Sequence, residues 1–293
     1  MSWLEETMKH NTRIAVLDSG IDSSVENNNI KVFDEGYDDN GHGTMCYETI
    51  RRLSPNSCFG IYKILDRSLS ASSVKLIELL EKVYETGAYD IIHLSLSTSE
   101  PKYMDRLRDI CRKLVKNGAV IVASQNNTAN VDSFPCDFPE VMGVGGGIFE
   151  ADEVFDYDPG RVVQIMANKV PSLTKSLIGR YRFFGGTSKA AACFTGTIAA
   201  RWNEVEKYGI DSALKRISAE KAPVQNDTIS AKTGSFVEQR WGDFFLNGVR
   251  EEEARRFLTE FEEEFFVKVE WEKFTLLDFE NRIDLSRKLS LYV

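Results

Sequence analysis

The sequence has little of what marks a secreted, membrane-spanning or nucleic-acid-binding protein. Its five cysteines are an odd number and form no Cys-x-x-Cys pair, which favours reduced thiols in the cytosol over a disulfide framework. No run of about 18 apolar residues is present, so we expect no membrane-spanning helix. Acidic residues outnumber basic ones by 45 to 36, and the net charge of −9 argues against a nucleic-acid ligand.

The beginning of the chain also lacks the pattern of a secretory signal. The first ten residues are polar and acidic, whereas a signal has a basic start followed by an apolar stretch. We therefore predict a cytoplasmic protein. The 293 residues, 42% of them hydrophobic, suffice for one large domain and a small appendage.

Apolar runs typical of strands alternate with helical patterns. The run Arg13–Asp18 ends in a carboxylate, as expected of a buried parallel strand whose carboxyl end carries function. Further strands are predicted at 59–65, 91–96, 119–123 and 161–167, helices at 42–53, 74–84, 107–114, 188–200 and 211–222, and a loop at 134–160. The alternation predicts an α/β fold with a mainly parallel sheet and helices on both faces. Ligand chemistry in such folds lies at the carboxyl ends of the strands.

Three segments combine glycine with a side chain capable of catalysis. They are Arg-Ile-Ala-Val-Leu-Asp-Ser-Gly-Ile-Asp at 13–22, Asn-Gly-His-Gly-Thr at 40–44 and Gly-Gly-Thr-Ser-Lys-Ala-Ala-Ala at 185–192. All three resemble signatures of the subtilisin-like serine proteases, and the order Asp, His, Ser is the order of that family. The resemblance implies a subtilisin-like fold and peptide-bond hydrolysis through an acyl-enzyme.

Within these segments the resemblance assigns one catalytic role to each of three residues. Ser188 would be the nucleophile, His42 the general base, and Asp18 the group that orients the imidazole and stabilises its charged form. Each residue alone has an ordinary alternative, since a strand-end Asp or a Thr-Ser pair often caps a helix and a lone His is often a polar core residue. The other two histidines, His10 and His93, lack a comparable context and receive no role.

An oxyanion-stabilising residue is implied by the same resemblance. The segment Val-Ala-Ser-Gln-Asn at 122–126 is similar to the family's Ala-Ala-Gly-Asn, which follows a buried strand. The Asn126 side-chain amide, together with the Ser188 backbone N–H, would then hold the oxyanion. The alternative is that Asn126 or Asn127 is only a turn residue. A Phe-Pro, Phe-Pro, Val-Gly stretch at 134–145 resembles the family's Tyr-Pro, Tyr-Pro, Val-Gly and supports this alignment.

Substrate contacts are predicted on two short segments that follow strands. The residues predicted to bind substrate are Ser95, Leu96, Ser97, Thr98, Ser124 and Gln125. The family usually has Ser-Leu-Gly-Gly at 95–98 and Gly in place of Gln125, so three added side chains should narrow the primary pocket or make it polar. This predicts a selective processing protease rather than a digestive one.

Cys46 is predicted to be a thiol close to the active site. It follows His42 by four residues and matches a free cysteine of the proteinase K-like branch. Residues i and i+4 share one face of a helix, so its sulfur should lie near the imidazole. A small buried hydrophobe is the ordinary alternative to a catalytic or redox role. The segment 54–57 is shorter than the calcium-binding loop of secreted subtilisins, and we predict no metal site and no cofactor.

The last part of the chain changes to an acidic, Phe-rich composition. We predict a peptidase domain at 1–225 and a small acidic helical domain or extension at 236–293. The second segment weakly resembles the later part of an acyl or peptidyl carrier domain, but Arg250-Glu251 replaces the Asp-Ser that carries phosphopantetheine. A plain helical extension is the alternative. A carrier-like tail would use its acidic face, 251–253 and 262–264, to recruit a basic substrate or biosynthetic partner.

The sequence thus predicts a serine endopeptidase that acts on peptide or protein substrates. Without a signal or pro-domain and with a crowded pocket, it resembles the intracellular leader peptidases that mature ribosomally made peptides such as lanthipeptides. Two alternatives stay open. One is a general intracellular subtilisin, and the other is a pseudo-protease that binds peptides as a scaffold.

Overall fold

The computed structural model describes residues 11–25, 28–33, 36–87, 89–128, 131–220, 229–245 and 248–293. These residues form two compact units. The first consists of the described chain up to residue 169 together with 176–179 and 186–220, and the second consists of 170–175, 180–185 and the residues from 229 onwards. The three predicted catalytic residues all belong to the first unit.

An eight-stranded sheet forms the centre of the first unit. Its strands are β1 Arg13–Asp18, β2 Ile30–Phe33, β3 Cys58–Lys63, β4 Ile91–Leu94, β5 Val120–Ser124, β6 Met142–Gly147, β7 Phe155–Tyr157 and β8 Ile165–Asn168. They lie in the order β2-β3-β1-β4-β5-β6-β8-β7, and every neighbouring pair is parallel except β7 with β8. The predicted mainly parallel α/β fold is confirmed.

Helices cover both faces of this sheet. They are α1 His42–Leu53, α2 Ser73–Thr86, α3 Met104–Lys116, α4 Gly186–Ala200, α5 Trp202–Tyr208 and α6 Ile210–Ser218. Leu17 of β1 and Leu94 of β4 share one buried apolar cluster with α2 and α3. Successive strand residues point to opposite faces of a sheet, so the sheet has a second apolar face to cover. On that face α4 contacts α1 and the central strands. Within the described ranges, no helix is long and apolar enough to cross a membrane.

The structure corrects the prediction of a loop at 134–160, because β6 and β7 lie there. β6 reads Met-Gly-Val-Gly-Gly-Gly, and glycine is unusual in strands, so the pattern was not visible in the sequence. The glycines of β6 admit close neighbours, since a Cβ on Gly145 would stand 2.8 Å from the Met166 sulfur. The strand predicted at 161–167 is shorter and begins only at residue 165, and β2 was not predicted.

The second unit combines a two-stranded antiparallel hairpin with helices. Its elements are β9 Ser172–Lys175, β10 Tyr181–Phe184, α7 Ala231–Phe245, α8 Glu251–Phe265, α9 Leu276–Glu280 and α10 Arg282–Leu289. Aromatic side chains dominate its core, and the fully buried ones are Phe257, Phe261, Phe274 and Phe279. The segment 226–235, between the two predicted domains, falls partly outside the described residues, and its last residues already belong to α7.

The hairpin and the C-terminal segment share this core. Leu173 of β9 is fully buried in the phenylalanine cluster, and its N–H donates to the Phe274 carbonyl at 3.0 Å. In β10 the Phe183 N–H donates to Glu251 Oε2 at 3.0 Å. The strand that directly precedes α4 is therefore folded together with the last part of the chain, which the sequence did not predict.

Two acidic residues of the predicted docking face have partners inside the second unit. Glu251 accepts the hydrogen bond from β10 described above. Glu262 is 9% exposed, and its carboxylate accepts hydrogen bonds from Lys268 Nζ, the Val269 N–H and Trp271 Nε1 at 2.8, 2.9 and 3.2 Å. These carboxylates therefore satisfy polar groups of the unit itself. The carrier-like tail and its partner stay predictions.

Candidate active site

The three predicted catalytic residues lie at element ends on the carboxyl edge of the sheet. Asp18 is the last residue of β1, between β3 and β4, and is 1% exposed. His42 is the first residue of α1, and Ser188 lies in the first turn of α4, which packs against α1. Parallel strands end at one edge of a sheet, and this edge is where such folds place ligand chemistry.

Asp18 holds the imidazole of His42. The distance between His42 Nδ1 and Asp18 Oδ1 is 2.7 Å, and the Ser19 N–H donates to the same oxygen at 2.7 Å. A carboxylate at Nδ1 requires the ring proton there, which leaves Nε2 to accept a proton. Burial lowers the pKa of His42, but the negative charge of Asp18 and its hydrogen bond outweigh burial and raise that pKa above its usual value of 6.5.

A pH profile tests this electrostatic arrangement. Only neutral His42 can accept the proton of the nucleophile, so a raised pKa predicts that kcat/KM increases with pH and reaches its midpoint above 6.5. In Asp18→Asn the charge that favours imidazolium is absent, and the midpoint should move to lower pH even though the rate is much smaller. The measurement is kcat/KM from pH 5 to 10 for both proteins. An unchanged midpoint in Asp18→Asn would contradict the assignment.

The turn before His42 is organised by Asp38, which the sequence reasoning missed. Its Oδ1 accepts hydrogen bonds from the Gly41 N–H at 2.8 Å and Ser19 Oγ at 2.9 Å, and its Oδ2 accepts from the Thr44 N–H at 2.9 Å and Thr44 Oγ1 at 2.6 Å. Burial raises the pKa of Asp38, but these donors outweigh burial and the net pKa is lowered. An ionised Asp38 thus links the end of β1 to the start of α1.

The glycines on either side of His42 are required by close contacts. Gly41 has φ 96°, in the region that favours glycine, and a Cβ on it would stand 2.3 Å from Ser176 Oγ. A Cβ on Gly43 would stand 2.3 Å from the Gly20 carbonyl oxygen. The Gly-His-Gly pattern therefore has a steric cause, because it lets the start of α1 approach the residues that follow β1.

Cys46 lies beneath the Asp18–His42 pair. Its Sγ is 3.5 Å from Asp18 Oδ2 and 3.9 Å from His42 Nδ1, and the residue is fully buried. Burial and the Asp18 charge raise the pKa of Cys46 to about 11, so it is a neutral thiol and not a nucleophile. One oxygen, one nitrogen and one sulfur from these residues lie within 4.8 Å of one another.

This arrangement predicts inhibition by mercurials. A soft metal that binds Cys46 Sγ would displace the imidazole of His42, because the two atoms are 3.9 Å apart. We expect an organomercurial to abolish the activity of the wild type, whereas Cys46→Ala should be active and resistant. Cys58→Ala is a matched control, since Cys58 is also buried but lies at the start of β3, and this variant should stay sensitive. Loss of activity in Cys46→Ala as complete as in His42→Ala would reveal a role for the thiol in catalysis.

The turn that presents Ser188 is bound by Asn127 rather than by Asn126. Asn127 Oδ1 accepts from Thr187 Oγ1 at 2.9 Å and from the Thr187 N–H at 3.3 Å. Asn126 is directed elsewhere, because its Oδ1 accepts from the Thr128 N–H at 2.8 Å and its own N–H donates to Ser133 Oγ at 2.8 Å. The sequence singled out Asn126, and two consecutive asparagines carry no signal that separates them.

The two predicted substrate-binding segments extend from neighbouring strands, since β4 pairs with β5. Thr98 pairs through its backbone with Phe134 at 2.8 and 2.9 Å, and its hydroxyl is 3.2 Å from Ser73 Oγ. The side chain of Gln125 lies over β6, where its Oε1 would be 3.1 Å from a Cβ on Gly145. Ser95 and Ser124 are buried, and Leu96 and Ser97 are half-buried.

His93, which the sequence left without a role, is buried in β4 beneath the site. It is fully buried, and its Nδ1 is 2.9 Å from Thr195 Oγ1 on α4. Burial lowers the pKa of His93 to about 4, so the ring is neutral. It is a polar core residue that joins the central sheet to the helix of the nucleophile.

No family model matches the chain. Over 211 residues it is 26% identical to Subtilisin amylosacchariticus of Bacillus subtilis subsp. amylosacchariticus, and this alignment covers 64% of the chain and 55% of that protein. Over 249 residues it is 24% identical to the Major intracellular serine protease of Bacillus subtilis (strain 168), covering 74% of the chain and 75% of that protein.

Among solved structures, the chain is similar to the Prenylagaramide maturation protease PagA, with a TM-score of 0.56 and 20% identity over 70% of this chain and 81% of that one. The fold is subtilisin-like. The chain spans 55% of the length of Subtilisin amylosacchariticus, little more than half of that protein.

Proposed function

We propose that the protein is a serine endopeptidase that hydrolyses peptide bonds with Asp18, His42 and Ser188. The observation that carries this proposal is the 2.7 Å contact between Asp18 and His42 at the edge of the sheet where α4 presents Ser188. The similarity to subtilisins in sequence and fold supports it. A nucleophile, a base and a group that orients the base are the parts that acyl transfer requires.

The proposed reaction proceeds in two halves. Ser188 Oγ bonds to the scissile carbonyl carbon while its proton moves to His42 Nε2, and the Nδ1–H continues to donate to Asp18. The tetrahedral intermediate then breaks its carbon–nitrogen bond, and the imidazolium gives its proton to the leaving amine. Water repeats the sequence on the acyl-enzyme, which releases the carboxylic acid and restores the Ser188 hydroxyl.

The oxyanion of that intermediate requires hydrogen-bond donors. The Ser188 N–H lies in the first turn of α4, where backbone N–H groups have no partner within the helix. For the side-chain donor, the contacts favour Asn127 over the Asn126 of the sequence prediction. The Asn127 carbonyl oxygen is held by Thr187, so the amide can offer only its NH₂ group to a substrate.

The substrate is proposed to be a peptide precursor, cleaved at few positions in the cytoplasm. The similarity to a protein described as a maturation protease and to an intracellular serine protease supports this choice. Leader-peptide removal during the maturation of a ribosomally made peptide is the specific form we propose. General intracellular proteolysis and peptide binding without catalysis are the competing functions.

One labelling experiment separates an enzyme from a scaffold. A serine-directed phosphonate probe should label the wild type at Ser188, and Ser188→Ala should not be labelled. Because the probe needs an activated hydroxyl, His42→Ala should also lose labelling although Ser188 is present. A wild-type protein that does not react would favour the scaffold.

Restricted specificity is the prediction that separates processing from general proteolysis. We expect the wild type to cut few sites in unfolded casein, because Ser97 and Gln125 stand where the family usually has glycine. Ser97→Gly with Gln125→Gly should broaden the side chains accepted before the scissile bond, as measured by mass spectrometry of the products. Ser99→Gly, at an exposed position just past this segment, is the control and should leave the pattern unchanged. Indiscriminate digestion by the wild type would refute the prediction.

A further inference from the structure

A buried cluster of charges lies directly behind the proposed nucleophile. Lys189 follows Ser188 in the chain and is fully buried. Its Nζ is 2.8 Å from Asp152 Oδ1, and the same oxygen accepts from Asn168 Nδ2 at 2.8 Å. Arg52 binds the other oxygen, Asp152 Oδ2. The proposed mechanism uses none of these four side chains, although Lys189 shares a helical turn with the nucleophile.

The four residues come from four separate elements of the first unit. Lys189 lies in the first turn of α4, and Arg52 lies in the last turn of α1, the helix that begins with His42. Asn168 is the last residue of β8, and Asp152 lies in the turn between β6 and β7. One carboxylate thus connects the helix of the base, the helix of the nucleophile and the carboxyl edge of the sheet.

Asp152 is the ionised centre of this cluster. Burial raises the pKa of Asp152, but Lys189 and Arg52 outweigh burial and the net pKa is lowered, so the carboxylate is ionised. Cys193, one turn further along α4, has a raised pKa because of burial and the Asp152 charge, and it is a neutral thiol. The Asp152 carboxylate therefore lies between two basic side chains, one of which belongs to the first turn of α4.

A buried ion pair is weak evidence for stability, because the cost of removing its charges from water offsets their attraction. An apolar side chain of similar size could fill the space of Lys189. The observed contact of Lys189 instead joins the first turn of α4 to the turn between β6 and β7, because its ammonium group donates to Asp152. This hydrogen bond fixes the turn that carries Ser188.

We propose that Lys189, held by Asp152, is a positioning residue that fixes the helical turn of the nucleophile. This inference rests on the proposed peptidase function and extends it to the residues behind the catalytic turn. Lys189 itself does not touch the reacting atoms, because its ammonium group is bound to Asp152 inside the protein. Its effect should therefore appear in kcat and not in substrate binding.

The test compares Lys189→Met with a matched control on a short peptide substrate. In Lys189→Met we expect kcat per phosphonate-titrated active site to fall on the order of 10-fold, less than for loss of a direct oxyanion donor, with KM within about twofold. Arg13→Met is the control, because Arg13 Nε binds Asp90 Oδ2 at 2.9 Å at the opposite end of β1 from Asp18. That variant should lose thermal stability and keep its kcat.

A kcat per active site within twofold of the wild type in Lys189→Met would overturn the proposal and leave the cluster a structural feature. If Lys189→Met does not fold, Lys189→Gln carries the test, since its side chain is polar but uncharged and too short to reach Asp152 in the same way. The same kcat loss is expected there, and an unchanged kcat would overturn the proposal equally. Failure of the peptidase function is distinguishable, because the wild type itself would then neither cleave nor react with the phosphonate.

Discussion

Replacing Ser188 by alanine should lower turnover by a factor on the order of 10⁶, by analogy with the triad variants of subtilisin. The alanine removes the oxygen that attacks the substrate, so no acyl-enzyme can form. His42→Ala should have a similar effect, because the hydroxyl would keep its proton. Asp18→Asn should cost less, since the base remains but its tautomer and its charged form are no longer supported. The measurement is kcat on a peptide that the wild type cleaves.

The turnover of a double variant gives this experiment a second readout. The three residues act as one unit, so the double variant Ser188→Ala with His42→Ala should be no slower than either single variant. Ser19→Ala is the comparison variant, because Ser19 Oγ binds Asp38 and the Gly43 N–H beside the triad but takes no part in the reaction; it should lower kcat far less than either triad variant. Near-normal cleavage by Ser188→Ala would exclude the proposed nucleophile.

Asn127→Ala should lower kcat by about 10² to 10³, the loss that subtilisin shows when its oxyanion asparagine is removed. The effect should fall on kcat with little change in KM, because the donor binds the oxygen only once it is negative. The physical basis is the contact of Asn127 Oδ1 with Thr187, next to the nucleophile. Steady-state kinetics with one peptide substrate measure both parameters.

Asn126→Ala is the matched control, since it removes the same side chain one residue earlier. We expect less than a tenfold change in kcat, because the side chain of Asn126 binds the Thr128 N–H in its own turn and not the turn that carries Ser188. The opposite result, a large loss in Asn126→Ala and a small one in Asn127→Ala, would restore the assignment made from sequence alone. Thermal unfolding of both variants separates a stability effect from a catalytic one.

The parts of the fold that could be predicted have strong local patterns. The apolar run of β1 and the helical spacing of α2 and α3 identified those elements to within three residues at each end. β6 could not be found in this way, because its glycines have no side chains to form a pattern and are explained only by neighbours such as Met166. The hairpin of the second unit depends on contacts with residues about a hundred positions away, such as Leu173 with Phe274.

The residues of the candidate site also divide into those with a local sequence pattern and those that depend on three-dimensional contacts. Asp18, His42 and Ser188 lie in segments whose glycines and strand ends are visible in the sequence. Asp38 and the choice between two adjacent asparagines are decided by hydrogen bonds, and a hydrogen-bond partner is a property of three-dimensional contact. Lys189 directly follows the nucleophile in the sequence, but its proposed role depends on the buried partners that surround it.

The shared core of the hairpin and the C-terminal segment has a consequence for biosynthesis. β10 is followed directly by the helix of Ser188, yet Leu173 of the same hairpin is buried in a core that includes Phe274 and Phe279. Synthesis proceeds from the N-terminus, so a nascent chain that has already produced Ser188 still lacks the residues that complete this hairpin. A chain in synthesis that already contains Ser188 therefore still lacks the residues that bury Leu173, and the second unit can complete its core only after residue 279 has been made.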